Sequence, residues 1–101
     1  MADYLPPSTA LRIFQRVLGE GSIILTNHVK EQMNARNFDM LDVCSLKDTG
    51  HIQQVPERDI KTGEWKYTIK GNDIEGETLE IVFSILSERK VKLITGWRKK
   101  S

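Results

Sequence analysis

Leu11, Phe14 and Leu18 recur at helical spacing with Val17 on the same side, which predicts a helix over residues 8–18. Pro6 and Pro7 bar an earlier start, Ser8 can cap the run, and Gly19 and Gly21 stop it. Residues 22–25 follow as a short apolar stretch, strand or turn. Thr26 or Asn27 can then accept from the first free amides of a second helix over 27–36, whose apolar stripe is Val29 and Met33. His28, Gln32 and Arg36 fall within about 80° of one another on that helix. Asn37 suits a left-handed stop, and Asp39 caps a third helix carrying Leu41, Val43, Cys44 and Leu46, which ends before Gly50.

Beyond Gly50 the period changes from helical to alternating. Residues 51–55 read as a strand closed by Pro56, and Lys61, Thr62 and Gly63 supply turn chemistry. In 65–70, Trp65, Tyr67 and Ile69 alternate with Lys66, Thr68 and Lys70. In 77–86, Leu79, Ile81, Phe83 and Ile85 share one face; a turn over 87–90 then leads into a last strand over 91–97. The expected class is α+β: two or three N-terminal helices packed on the apolar face of a four-stranded antiparallel sheet. Residues 8–98 form the single domain, between an N-terminal tail over 1–7 and a basic tail over 99–101.

Composition narrows the setting. At 101 residues and 39% apolar, the chain can bury a core without covalent staples. Its one cysteine, Cys44, permits no intrachain disulfide and reads as a small buried apolar residue, so a reducing, cytoplasmic setting is expected. No stretch of about 18 apolar residues occurs, and the start lacks a basic, apolar leader, so neither membrane insertion nor export is expected. A net charge of +1 argues against a generic polyanion binder. The charge is nevertheless uneven: residues 87–101 hold six basic residues and one acid, leaving nine basic against thirteen acidic before them.

Phosphate-loop, H-E-x-x-H and G-x-S-x-G patterns are missing, and two histidines 23 positions apart with a single cysteine predict no metal centre and no cofactor. The remaining side chains suit metal-free RNA cleavage, because RNA supplies its own nucleophile in the 2′-hydroxyl. A protein then has only to position it, move protons and stabilise negative charge. On this reading Lys66 and Arg98 hold the scissile phosphate, and His28 or Tyr67 moves a proton. Arg36, Lys70, Lys92, Lys99 and Lys100 bind the RNA, with Thr95 also a candidate. Strict alternation puts Lys92 and Arg98 on one strand face, and Tyr67 and Trp97 on the core side. Structural roles compete at each position: a packed His28, lysines that guard a sheet edge, an Arg36 that complements a helix dipole. Helices covering the apolar face also separate His28 from Lys66 and Lys70.

The segment from Thr26 through His28, Met33 and Arg36 to Phe38, followed by Gly50, Ile52 and the Ile94-Thr95 pair, resembles a family of small bacterial domains of unknown function over residues 10–98. Gln32 stands where that signature usually has arginine. The order of elements is also similar to the MqsR and RelE type of messenger-RNA-cleaving toxins. That resemblance implies a metal-independent endoribonuclease, acting on messenger RNA free or on the ribosome and neutralised by a cognate antitoxin. The competing reading is a non-catalytic protein-binding module of the same fold. Sequence-specific DNA binding is weaker, since no predicted helix gathers base-reading and phosphate-contacting side chains.

Overall fold

The computed structural model describes residues 4–99. Its first helix, α1 (Pro7–Glu20), begins on a proline, whose missing N–H would have had no helical partner at that position. Pro6 is the N-cap, so Ser8 lies inside the helix, and the run passes through Gly19 to a C-cap at Gly21. Of the segment expected as a tail, Tyr4 and Leu5 are pinned ahead of it: Tyr4 meets Trp65 edge-on at 5.1 Å, and Leu5 exchanges two hydrogen bonds with the Tyr67 hydroxyl.

The next helices form as their caps predict. In α2 (Asn27–Ala35) the Thr26 side chain accepts from the Val29 N–H, and Asn37 adopts φ 59° just beyond the end. In α3 (Met40–Thr49) Asp39 and Asp42 form a reciprocal capping box. Cys44 is exposed on this helix rather than buried.

The sheet is five-stranded and mixed, which corrects the four-stranded antiparallel expectation. Its strands are β1 (Ser22–Leu25), β2 (Glu57–Arg58), β3 (Trp65–Asn72), β4 (Thr78–Ser87) and β5 (Lys90–Lys99), in the order β1-β5-β4-β3-β2. The short apolar stretch after α1 is a strand, lying parallel to the first half of β5 with Ile23 beside Val91 and Leu25 beside Leu93. The strand expected over 51–55 does not form. His51 makes one bridge to Lys70, and pairing resumes only at Glu57, after Pro56, which has no N–H to donate.

One irregularity reorients the last strand. Phe83 pairs with Leu93 but Val82 pairs with Thr95, so Ile94 is an extra residue in β5. A bulge of this kind reverses the facing of everything after it. Val91, Leu93 and Gly96 are buried against the helices, whereas Trp97 is 46% exposed on the other face.

The helix-covered face carries the core. Ala10, Phe14 and Val17 from α1 and Val43 and Leu46 from α3 lie against Tyr67, Ile69, Leu79, Ile81, Phe83, Val91 and Leu93. The Phe14 and Phe83 ring centroids are 4.4 Å apart. The close approach of α3 to β3 demands two residues without side chains: a Cβ on Gly71 would sit 2.9 Å from Gly50 Cα, and one on Gly50 would sit 2.6 Å from Ile69 Cδ1.

Candidate nucleic-acid interface

The opposite sheet face is polar and laid out in rows by the register. Ile24, Lys92, Ser84, Lys66 and Glu57 form one row; Thr95, Val82 and Thr68 the next; Trp97, Glu80, Lys70 and His51 the third; Lys99, Thr78 and Asn72 the last. A cavity of about 180 Å³ lies over the second row, where Gln54 and Val55 arch above Thr68, Val82, Ile94 and Thr95.

Helix α2 borders this face while Val29 and Met33 pack into the core of the apolar one. Strand β1 ends opposite Leu93, and from there α2 occupies the vacant edge of β5. Thr26 Oγ1 donates to the carbonyls of Leu93 (2.9 Å) and Ile94 (3.1 Å). The Gln32 side-chain oxygen accepts from the Gly96 N–H at 2.7 Å and from the Thr95 hydroxyl. Farther along, the Arg36 guanidinium lies over the Trp97 indole, 5.9 Å from the ring centroid. His28 is exposed and lies on the helical stripe of Gln32 and Arg36, two turns back from Arg36. Through Gln32 and Arg36 this stripe borders the polar sheet face, whereas the expectation set the helix on the opposite side.

The strand lysines sit where alternation predicts, on the polar face, but two are neutralised. Lys92 Nζ is 2.6 Å from Glu64 and Lys66 Nζ 3.9 Å from Asp59. Asp59 accepts from the Lys61 and Thr62 amides, which with the Lys66 charge hold its carboxyl below the usual value. Lys70 is exposed opposite Glu80, and Lys99 faces outward at the end of β5 opposite Thr78. Lys99 is thus strand rather than tail, while Lys100 lies outside the described residues.

Two of the side chains expected to catalyse are committed elsewhere. Tyr67 points into the helix-covered core, 2% exposed, with its hydroxyl held by Leu5. Burial pushes its phenol above the ordinary value of 10.0, partly offset by the bond from the Leu5 N–H. The folded chain therefore favours the protonated ring; that contribution is intact below about pH 10 and lost as pH rises through the elevated value. Tyr67→Phe is expected to cost about 1 kcal/mol in urea denaturation and to leave any RNA cleavage rate unchanged.

Arg98, turned inward by the bulge, is separated from Lys92 and engaged by acids. Its Nε is 2.6 Å from the buried Asp73 carboxylate, its Nη2 is 3.3 Å from Glu75, and its Nη1 donates to the Asn37 carbonyl. Burial opposes its charge, but the attraction of Asp73 and Glu75 outweighs it and raises the pKa. A phosphate would have to displace two carboxylates, so Arg98 is a structural tie between β5, the turn after β3 and the end of α2.

Residues 25–98 match a family model described as a domain of unknown function, DUF4258. The chain belongs to the DUF4258 family. The α2 rim and the polar sheet face from β2 to β5, except Lys99, lie inside the DUF4258 region, whereas α1 precedes it. Comparison with curated proteins and with solved structures gave no match. Among the described residues of this DUF4258 chain, no three His, Cys, Asp or Glu side chains converge to hold a metal ion, and no helix is long and apolar enough to cross a membrane.

Two rim residues escaped the sequence reading. Strict alternation puts Trp97 on the core side, and only a bulge frees it to stack; the glycine beside it, Gly96, is the available signal, since a strand glycine often marks a bulge or a close approach. A Cβ there would sit 2.6 Å from Phe38 Cζ. Gln32 proves to be an acceptor for β5, a role arginine cannot fill because it has no acceptor atom. Gln32→Arg is expected to cost about 1–2 kcal/mol in chemical denaturation, through the unpaired Gly96 N–H and Thr95 hydroxyl.

Proposed function

We propose that the chain is a metal-independent endoribonuclease acting on messenger RNA as the toxin of a toxin–antitoxin pair, with the polar sheet face as its RNA platform and the α2 rim as its cleaving edge. The observation that carries this reading is the exposed Trp97 indole, flanked by Arg36 from the helical stripe that also carries His28. An indole on an open sheet face stacks an unpaired base, and a guanidinium beside it meets the adjoining phosphate. His28 takes the proton from the 2′-hydroxyl as O2′ forms its bond to phosphorus. The bond from phosphorus to the 5′-oxygen breaks, and that oxygen leaves with a proton delivered from solvent. The products are a 2′,3′-cyclic phosphate and a free 5′-hydroxyl. Tyr67 and Arg98 have no part in this chemistry, while Lys70 and Lys99 remain as contacts for the strand.

The purified chain should cut single-stranded RNA in EDTA and leave cyclic-phosphate ends, and Trp97→Ala should raise KM about tenfold. Intact RNA after prolonged incubation, together with normal growth of bacteria expressing the chain, would reject the proposal. The second reading, a non-catalytic protein-binding module, draws on the pairing of Lys66 and Lys92 with their own acids, which removes two of the platform's lysines from phosphate binding. It gains if RNA survives and the product of an adjacent gene binds the chain, with binding weakened by Trp97→Ala.

A further inference from the structure

Among the described residues, a further group of unpaired cations lies on the helical side of the molecule. Between α1 and α3 is a cavity of about 470 Å³ lined by Arg12, Gln15, Arg16, Gly19, Glu20 and Lys47. Arg12 and Arg16 are one turn apart on α1, about 6 Å along its axis, and both are exposed. Lys47 faces them from the last turn of α3. The Gln15 side chain donates to the Lys47 carbonyl at 3.0 Å, which ties the two walls together. Gly19 lies beside Lys47, whose Nζ would be 3.4 Å from a Cβ there, an ordinary contact.

Three cations meet one carboxylate in this groove, and among the described residues none of the three takes part in an ion pair. Lys66 and Lys92 on the polar sheet face are by contrast already paired. The basic charge also continues past the groove: the turn carrying Arg89 and Lys90 lies against the end of α1, where the Ser22 N–H donates to the Arg89 carbonyl at 2.8 Å. The helix dipole of α3 favours a cation at Lys47, but it accounts for neither arginine.

We propose that the α1–α3 groove is a second, sequence-independent docking site for the phosphodiester backbone of RNA. Its lining decides the class of occupant. No aromatic or apolar side chain lines it, so it offers neither a surface for a base nor an anchor pocket of the kind that dominates protein interfaces. What it presents is guanidinium and ammonium donors, spaced along a helix, for successive anionic groups. Arg12 and Arg16 of this grip come from α1, which precedes the DUF4258 region, and Lys47 comes from α3 within it. The choice of RNA rests on the ribonuclease reading above; the groove's charge does not.

The test is binding of a fluorescent 20-nucleotide 2′-O-methyl oligouridine, which cannot be cleaved by 2′-hydroxyl attack, to the full chain over a salt series. Replacing Arg12, Arg16 and Lys47 together by alanine should raise Kd at least tenfold near 0.1 M salt and lower the log–log salt slope by about 2, at roughly 0.7 per contact on a single strand. The lysine variant Arg12→Lys with Arg16→Lys should keep the slope, and Trp97→Ala should lower affinity with the slope unchanged. Equal slopes for the native and triple-alanine chains, or no binding by the native chain, would overturn the docking site. Displacement of the RNA by polyglutamate at equal concentration of charge would overturn the assignment to RNA in favour of an acidic protein. A chain that binds through the groove yet leaves natural RNA intact keeps the docking site and loses the ribonuclease reading.

Discussion

His28→Ala should slow RNA cleavage about 10²- to 10⁴-fold, the range that a positioned proton-transfer group contributes. The thermal midpoint should stay within a degree or two of the native value. His28 is exposed in the first turn of α2, and the cap there is made by Thr26, so the substitution removes an imidazole and little else. Single-turnover cleavage of a short RNA in EDTA, paired with a melting curve, separates the two effects. A variant that cuts at the native rate would remove His28 from the chemistry. The contrast with Tyr67→Phe makes the comparison sharp, because that substitution should alter stability and spare the rate.

Asp73→Ala should have the largest effect on folding, about 3–5 kcal/mol in urea denaturation, the usual cost of stripping one partner from a buried ion pair. The Asp73 side chain is fully buried. One of its oxygens meets Arg98, while the other accepts from the Glu75 and Glu77 amides at 2.9 Å each, shaping the turn between β3 and β4. Alanine would leave the guanidinium without its principal counter-charge and two amides without acceptors. Asp73→Asn preserves an acceptor for the turn and should lose less. Equal losses for the two variants would mean that the ion pair, and not the turn, carries the stability.

What the sequence made legible was local. Thr26, Asn37 and Asp39 mark helix ends by chemistry that acts within three residues, and each occupies its expected place. Tyr67, Ile69, Leu79, Ile81 and Phe83 face the helices because a two-residue period survives any rearrangement elsewhere. What escaped depends on partners distant along the chain. Four residues of β1 have no periodicity to read, and their strand character comes from β5, some 68 positions later. Ile94 becomes a bulge only through its neighbour strand, and that one residue reverses both Trp97 and Arg98. The candidate site suffered most, since half of it lies downstream of the bulge.

The lateral placement of α2 has a consequence for how the molecule behaves among its own copies. Beyond Leu93 the outer backbone of β5 is met by Thr26 and Gln32, and β2 at the far margin is only two charged residues long. Strand-to-strand growth thus has one foothold, the four residues of β1, too short a template for ribbons to propagate. Concentrated preparations should therefore resist fibre formation, and loosening Gln32 would open the flank that now prevents it.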